Sequence, residues 1–178
     1  MTPPFKAAIL PVTPYQQNCS IVWCTATGKG VAIDPGGEVA RLKQFVSANG
    51  ITLEKILLTH GHLDHASGAA KLARETDTPI EGPHTDDTFL LEALGENTRR
   101  PGFAEAEPCV PARFLVDGDT VTFGEVTFGV RHCPGHTPGH VVFSTTPPES
   151  PSSATFCSRV LSDERTFRAA TTLYSSVP

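Results

Sequence analysis

The chain has 178 residues, 39% of them apolar, enough for one domain with its own core and, at about 150 residues per domain, too few for two. Its 14 Lys and Arg against 19 Asp and Glu give a formal charge of −5, so no basic patch is expected and nucleic acid is excluded as a partner. The apolar runs are strand-sized, far below the roughly 18 residues of a membrane span, and residues 1–6 show no export or organelle signal; a cytoplasmic protein with no membrane partner is the expectation.

Alternation and β-branched residues predict strands over 7–12, 19–24 and 30–33, with Thr27-Gly28-Lys29-Gly30 as the hairpin turn between the last two. A helix over 38–49 follows from Val39, Leu42, Phe45 and Val46 at helical spacing, stopped by Asn49-Gly50. The apolar run inside 55–59 predicts a strand buried on both faces, leading straight into a cluster of histidines. Helices are expected over 67–75 and 86–94, a proline-bearing loop over 101–111, short strands between 113 and 131, and one more over 140–143. Strand-rich halves with interspersed helices predict an α/β sandwich, sheets inside and helices outside. Five cysteines (Cys19, Cys24, Cys109, Cys133 and Cys157), an odd count without a Cys-x-x-Cys pair, are expected to be reduced.

Composition changes abruptly after Phe143. Residues 144–178 contain 18 Ser, Thr or Pro among 35 and no Gly or His, although all 15 glycines and all seven histidines lie earlier. Such composition by itself describes a low-complexity tail.

Thr59-His60-Gly61-His62-Leu63-Asp64-His65 places three imidazoles and a carboxylate in six residues after the buried strand. Neutral imidazole and carboxylate suit Zn²⁺ and similar cations, and a strand-to-loop junction holds such donors rigidly while leaving them accessible. His60 and His62 can serve one ion while Asp64 and His65 serve a neighbour. His136, at the apex of Pro134-Gly135-His136-Thr137-Pro138-Gly139-His140, returns one more imidazole. His140 opens a strand and is expected to orient a ligand or be buried and hydrogen-bonded, rather than to ligate. Asp34 in Ile33-Asp34-Pro35-Gly36-Gly37 has two readings, an Asx turn residue or a carboxylate orienting the histidine loop. His84 and His132 lack comparable context and are read as ordinary histidines.

These residues resemble the metallo-β-lactamase-fold hydrolases through His60-Gly61-His62-Leu63-Asp64-His65. Within that family the chain is most similar to short, single-domain type II glyoxalases, the hydroxyacylglutathione hydrolases. The supporting segments, 11–19, 33–37, 56–65 and 132–140, run in order over roughly four-fifths of the chain. The resemblance implies a four-layered αββα sandwich with a dinuclear metal centre. His60, His62 and His136 would hold the first ion, Asp64 and His65 would belong to the second, and Asp64 would thereby be catalytic. It further implies one or two Zn²⁺ ions, with Fe or Mn also accepted by such ligands, and hydrolysis of a thioester of the S-lactoylglutathione type by a metal-activated hydroxide. An iron-dependent persulfide dioxygenase and an inactive metal-binding remnant are the alternatives. No substrate-binding residue is assigned; Tyr15, Lys29, Arg99 and Arg100 are read as solvated surface.

The family's later strand ending in a Gly-Asp pair, whose Asp bridges both ions, and its later Gly-His-Gly turn are missing, since Asp163 in Leu161-Ser162-Asp163-Glu164-Arg165 sits in a polar stretch. Suitable codons for Ser153 to Thr172, read from the third base of the first codon, encode GDVLFAGSIGRTDFPRGNH, which restores the missing family segment. The expected organisation is therefore a truncated family domain over 1–143 and a frameshifted tail over 144–178, the shift falling between Phe143 and Ala154. Such a chain lacks partners for its second sheet, an aggregation hazard, and keeps at most weak occupancy of the second metal position.

Overall fold

The computed structural model describes residues 4–104 and 106–145; the expected tail, Cys157 and Asp163 included, lies outside the described residues from 146 onward. The chain opens with strands β1 (Phe5–Val12), β2 (Gln17–Cys24) and β3 (Lys29–Ile33), followed by helix α1 (Val39–Ala48) and strand β4 (Thr52–Leu57). One helical turn, α2 (Leu63–Ala66), then α3 (Ala69–Thr76), strand β5 (Ile80–Glu81) and α4 (Thr88–Glu92) come next. Strands β6 (Thr120–Phe123), β7 (Val126–His132) and β8 (Val141–Ser144) complete the described elements.

The first five strands form one sheet in the order β1-β2-β3-β4-β5, and β6-β7-β8 form a second. In the first sheet β1, β2 and β3 are antiparallel, whereas β3, β4 and β5 run parallel, joined through helices as parallel strands require. The second sheet is antiparallel throughout.

Alternate residues of the first sheet enter different cores, as the two-residue period of a strand dictates. Cys19 and Ile21 of β2, Ala32 of β3, and Ile56 and Leu58 in and after β4 pack with Val39 and Leu42 of α1 and Leu72 of α3. Val22, Cys24, Val31, Ile33 and Leu57 turn the other way, against Val121, Phe123, Phe128, Val130, Val141 and Phe143 of the second sheet. The described layers are thus helix, sheet, sheet. Both faces of β4 are buried, and Ile56, Leu57 and Leu58 have no exposed surface.

Several expected bounds shift for physical reasons. Strand β4 begins at Thr52, opposite Lys29 in its parallel register. Beyond Leu57 the extended chain changes partners, with Leu58 N–H donating to the Glu81 carbonyl and the Thr59 carbonyl accepting from Val141 N–H of the second sheet. The single helix expected over 86–94 is broken into a 3₁₀ turn at Thr85–Asp87, the five-residue α4, and another 3₁₀ stretch at Ala93–Asn97. Here the Leu91 carbonyl accepts from Cys109 N–H instead of continuing a helical ladder. The helix α2 forms inside the histidine motif, where a loop was expected. Cys19, Cys24 and Cys109 are free, but Cys133 is disulfide-bonded, against the all-reduced expectation.

Candidate metal centre

The site forms where the end of β4 meets the turn between β7 and β8. His60 and His62 leave β4 on either side of Gly61, α2 carries Asp64 and His65, and His136 stands on the β7–β8 turn. The centroids of His60, His62 and His136 form a nearly equilateral triangle with edges of 4.8, 4.8 and 4.7 Å. Their planes are mutually close to perpendicular, at 81°, 81° and 85°. One donor nitrogen from each ring lies within 4.8 Å of the others, and His62 Nδ1 is 3.1 Å from His136 Nε2. Three imidazoles converging this way make a trigonal face, with a fourth direction left for solvent or substrate.

The hydrogen-bond network assigns the tautomers behind this face. The Asp34 carboxylate accepts from Thr59 N–H through Oδ1 (2.8 Å) and from Thr59 Oγ1 through Oδ2 (2.6 Å). Because that hydroxyl gives its hydrogen to Asp34, it accepts from His60 Nδ1 at 2.9 Å. The His60 lone pair is then on Nε2, a buried atom without a hydrogen-bond partner among the described residues. Leaving such an atom buried costs on the order of 1–3 kcal/mol, and a cation at the centre of the triangle removes that cost. His65 Nδ1 donates to Asp34 Oδ2 at 3.0 Å, which turns its Nε2 toward Asp64 Oδ2, 3.7 Å away.

Asp34 therefore does more than shape its turn, although its φ of 52° is a turn conformation: its side chain fixes both Thr59 and His65. It groups with His60 and His65 as possible donors, yet three hydrogen bonds occupy most of its lone-pair directions, favouring orientation over ligation. Asp64 joins none of the three-donor groups, although its charge also bears on His62. His140 packs 5.3 Å from His60 and 6.1 Å from His136 by ring centroids, its Nδ1 buried and without a hydrogen-bond partner among the described residues. Burial above all, then the neighbouring rings, holds His60 well below the ordinary imidazole value. Burial also lowers His62 and His140. Neutral imidazole is the form that binds metal.

His84 and His132 stack 4.0 Å apart at 17°, and together with Asp86 form another cluster of possible donors. Nearly parallel rings cannot aim in-plane lone pairs at one ion, and His132 Nε2 donates to the Pro138 carbonyl at 2.9 Å. Of the residues read as solvated surface, Lys29 pairs with Glu54 at 2.8 Å, and Tyr15 is exposed beside Phe103, ring centroids 5.5 Å apart. Thr59, Gln17 (Nε2 3.3 Å from His65 Nδ1) and Asp87 escaped the sequence reading. Asp87 is fully buried and bonds to both histidine-bearing segments. Its signal in the sequence is slight, one carboxylate in Asp86-Asp87 at a helix start.

A fold of two sheets with a histidine triangle at their edge defines a class, and comparison agrees. The chain belongs to the metallo-beta-lactamase superfamily, whose family model matches residues 12–146. It is 40% identical over 136 residues to hydroxyacylglutathione hydrolase GloC of Haemophilus influenzae, covering 76% of this chain and 64% of that protein. A hydroxyacylglutathione hydrolase of Bdellovibrio bacteriovorus is 35% identical over 118 residues, 66% of this chain and 39% of that one. The chain thus spans less than two thirds of the length of these relatives. Among solved structures it resembles TTHA1623 in a di-iron-bound form, with 31% identity, a TM-score of 0.66 and 85% of each chain covered. It also resembles the BLEG-1 B3 metallo-beta-lactamase, with 29% identity, a TM-score of 0.63, and 77% and 66% covered. No described helix is long and apolar enough to cross a membrane.

Proposed function

We propose that this chain is a metal-dependent hydrolase of glutathione thioesters of the S-lactoylglutathione type. The observation that carries the reading is the His60–His62–His136 triangle, with a buried, unpartnered Nε2 on His60. The substrate class comes from the named activity of the H. influenzae and B. bacteriovorus relatives. His60, His62 and His136 would hold one cation, and Asp64 with His65 a second; Zn²⁺ suits the donors, and Fe or Mn is compatible with them. When bound, such an ion supplies Lewis acidity toward the acyl carbonyl and lowers the pKa of water.

The chain's own part is orientation and proton placement. Asp34, acting through Thr59 Oγ1, keeps the hydrogen of His60 on Nδ1 and so presents Nε2. Acting directly, it keeps the hydrogen of His65 on Nδ1 and presents that ring's Nε2 beside Asp64. Asp64, partly exposed and with Oδ2 3.7 Å from His65 Nε2, would take its catalytic part as a ligand of the second cation. Thiolate is a good leaving group, so the reaction requires no protein nucleophile.

The test is S-lactoylglutathione cleavage by the Zn²⁺- or Fe-loaded chain, followed by release of glutathione thiol. Activity is expected in the parent and lost by at least about 100-fold in His60→Ala and His136→Ala, together with the metal. Oxygen uptake with glutathione persulfide and no thioesterase activity would instead establish the dioxygenase alternative. Metal binding without either reaction would identify a remnant.

We further propose that the family domain ends near residue 143 and that residues 144–178 are a frameshifted product, because a permitted choice of codons for Ser153 to Thr172 encodes GDVLFAGSIGRTDFPRGNH one frame away. Resequencing the gene checks this: an interrupted frame is expected, and an intact reading with no homologous alternative frame overturns it.

A further inference from the structure

Asp87 is the described residue that bonds to both backbone stretches carrying the imidazole triangle. Its Oδ2 accepts from Gly61 N–H at 2.9 Å, between His60 and His62, and from Thr137 Oγ1 at 2.8 Å, next to His136. Its Oδ1 accepts from Gly139 N–H at 2.7 Å. Behind it, His84 N–H donates to the Gly139 carbonyl at 3.0 Å, so the turn is tied to residues 84–87 through both polar groups of Gly139. The approach leaves no slack. A Cβ on Gly139 would stand 2.6 Å from the Asp87 nitrogen, and one on Gly61 would stand 2.7 Å from Leu90 Cβ. Asp87 and Thr137 are both buried, at 0% and 3% exposure, so water cannot readily replace either partner.

We propose that Asp87 is a positioning residue of the cation site: by clamping Gly61 to Thr137 and Gly139 it fixes the spacing of His60 and His62 from His136, and with it the affinity and coordination geometry of the bound ion. The proposal rests on the reading that those three imidazoles hold a cation. Two of the three donors are backbone N–H groups, which can only donate. Asparagine, equal in size, must therefore turn an amide N–H toward one of them in either orientation. Outer hydrogen-bonding partners of metal ligands typically affect metal affinity by about 10- to 100-fold.

The experiment uses the full chain with Co²⁺ as the probe, read by chelator competition and by the visible d–d absorption, in the parent, Asp87→Asn, Thr137→Val and Thr137→Ser. Folding of each metal-free variant is checked by circular dichroism. Asp87→Asn is expected to bind Co²⁺ about 10- to 100-fold more weakly, with an altered absorption band. Thr137→Val should shift both readouts in the same direction, and Thr137→Ser should restore them. A residue that only stabilises the fold would lower the melting temperature yet leave the band of the folded protein unchanged. A folded Asp87→Asn variant with parental affinity and band overturns the proposal. If that variant does not fold, the Thr137→Val and Thr137→Ser pair decides, equal behaviour overturning it. Failure of the parent to bind Co²⁺ overturns the cation site itself, and the positioning role with it.

Discussion

His60 is 2% exposed and surrounded by His62, His65, His136 and His140, so a proton on its ring is opposed by desolvation and by its neighbours. The unfolded chain titrates these imidazoles near 6.5, whereas the folded chain holds His60, His62 and His140 lower. Below about pH 6.5 the unfolded state therefore binds more protons, and stability conferred by the neutral rings is complete above that value and lost as acid approaches the folded-state values. Thermal melts of the metal-free chain between about pH 8 and pH 5 are expected to show a falling Tm below about pH 6.5; a flat profile contradicts this cause. The three imidazoles after β4 were legible because their spacing is local, and His136 because it sits in its own proline- and glycine-rich turn. Asp87 was not: its partners Gly61, Thr137 and Gly139 are 26, 50 and 52 positions away, and two of them offer only backbone N–H groups, which no side-chain pattern reveals.

The turn after β3 and the start of α2 and α3 are packed backbone on backbone. A Cβ on Gly36 would overlap the Asp64 carbonyl, and one on Gly68 would overlap the Pro35 carbonyl. Gly36→Ala is expected to displace α2, destabilise the fold by about 1–3 kcal/mol and weaken cation binding through His65. Gly50→Ala is the control: its φ of +63° makes alanine strained, costing on the order of 1–2 kcal/mol, but a Cβ there meets nothing within 4 Å. Denaturant melts with metal titration separate the two, because only Gly36→Ala should lose both properties. At this scale the hydrophobic periods placed β1 to β4, α1 and α3 within a few residues. The two-residue β5 was too short to leave a period, and the 86–94 region read as one helix because its pattern omits the outside hydrogen bond that Leu91 accepts. Helix α2 was hidden inside a motif whose ligand residues dominate its composition.

For the molecule as a whole, β8 pairs as a strand with β7 alone among the described residues, and its other edge is held in that description only at its start, where Val141 N–H donates to the Thr59 carbonyl. In a frame-restored chain, GDVLFAGSIGRTDFPRGNH would offer further strand residues to this edge and the acidic residue that the family resemblance implies for a second metal position. It should melt at a higher temperature than the present chain and retain two ions per chain after gel filtration where this one retains one at most. Equal Tm and equal metal content would count against the proposed domain boundary.

The donors of the triangle belong to both sheets, His60 and His62 following β4 and His136 lying between β7 and β8, with the Thr59 carbonyl accepting from Val141 N–H across the same seam. An ion seated there is a rivet, joining segments remote along the chain, and its binding energy adds to the energy needed to part the layers. Chelation should then speed amide hydrogen exchange along β7 and β8 as well as in the histidine loop. Loosening confined to the loop would mean that the seam closes without it.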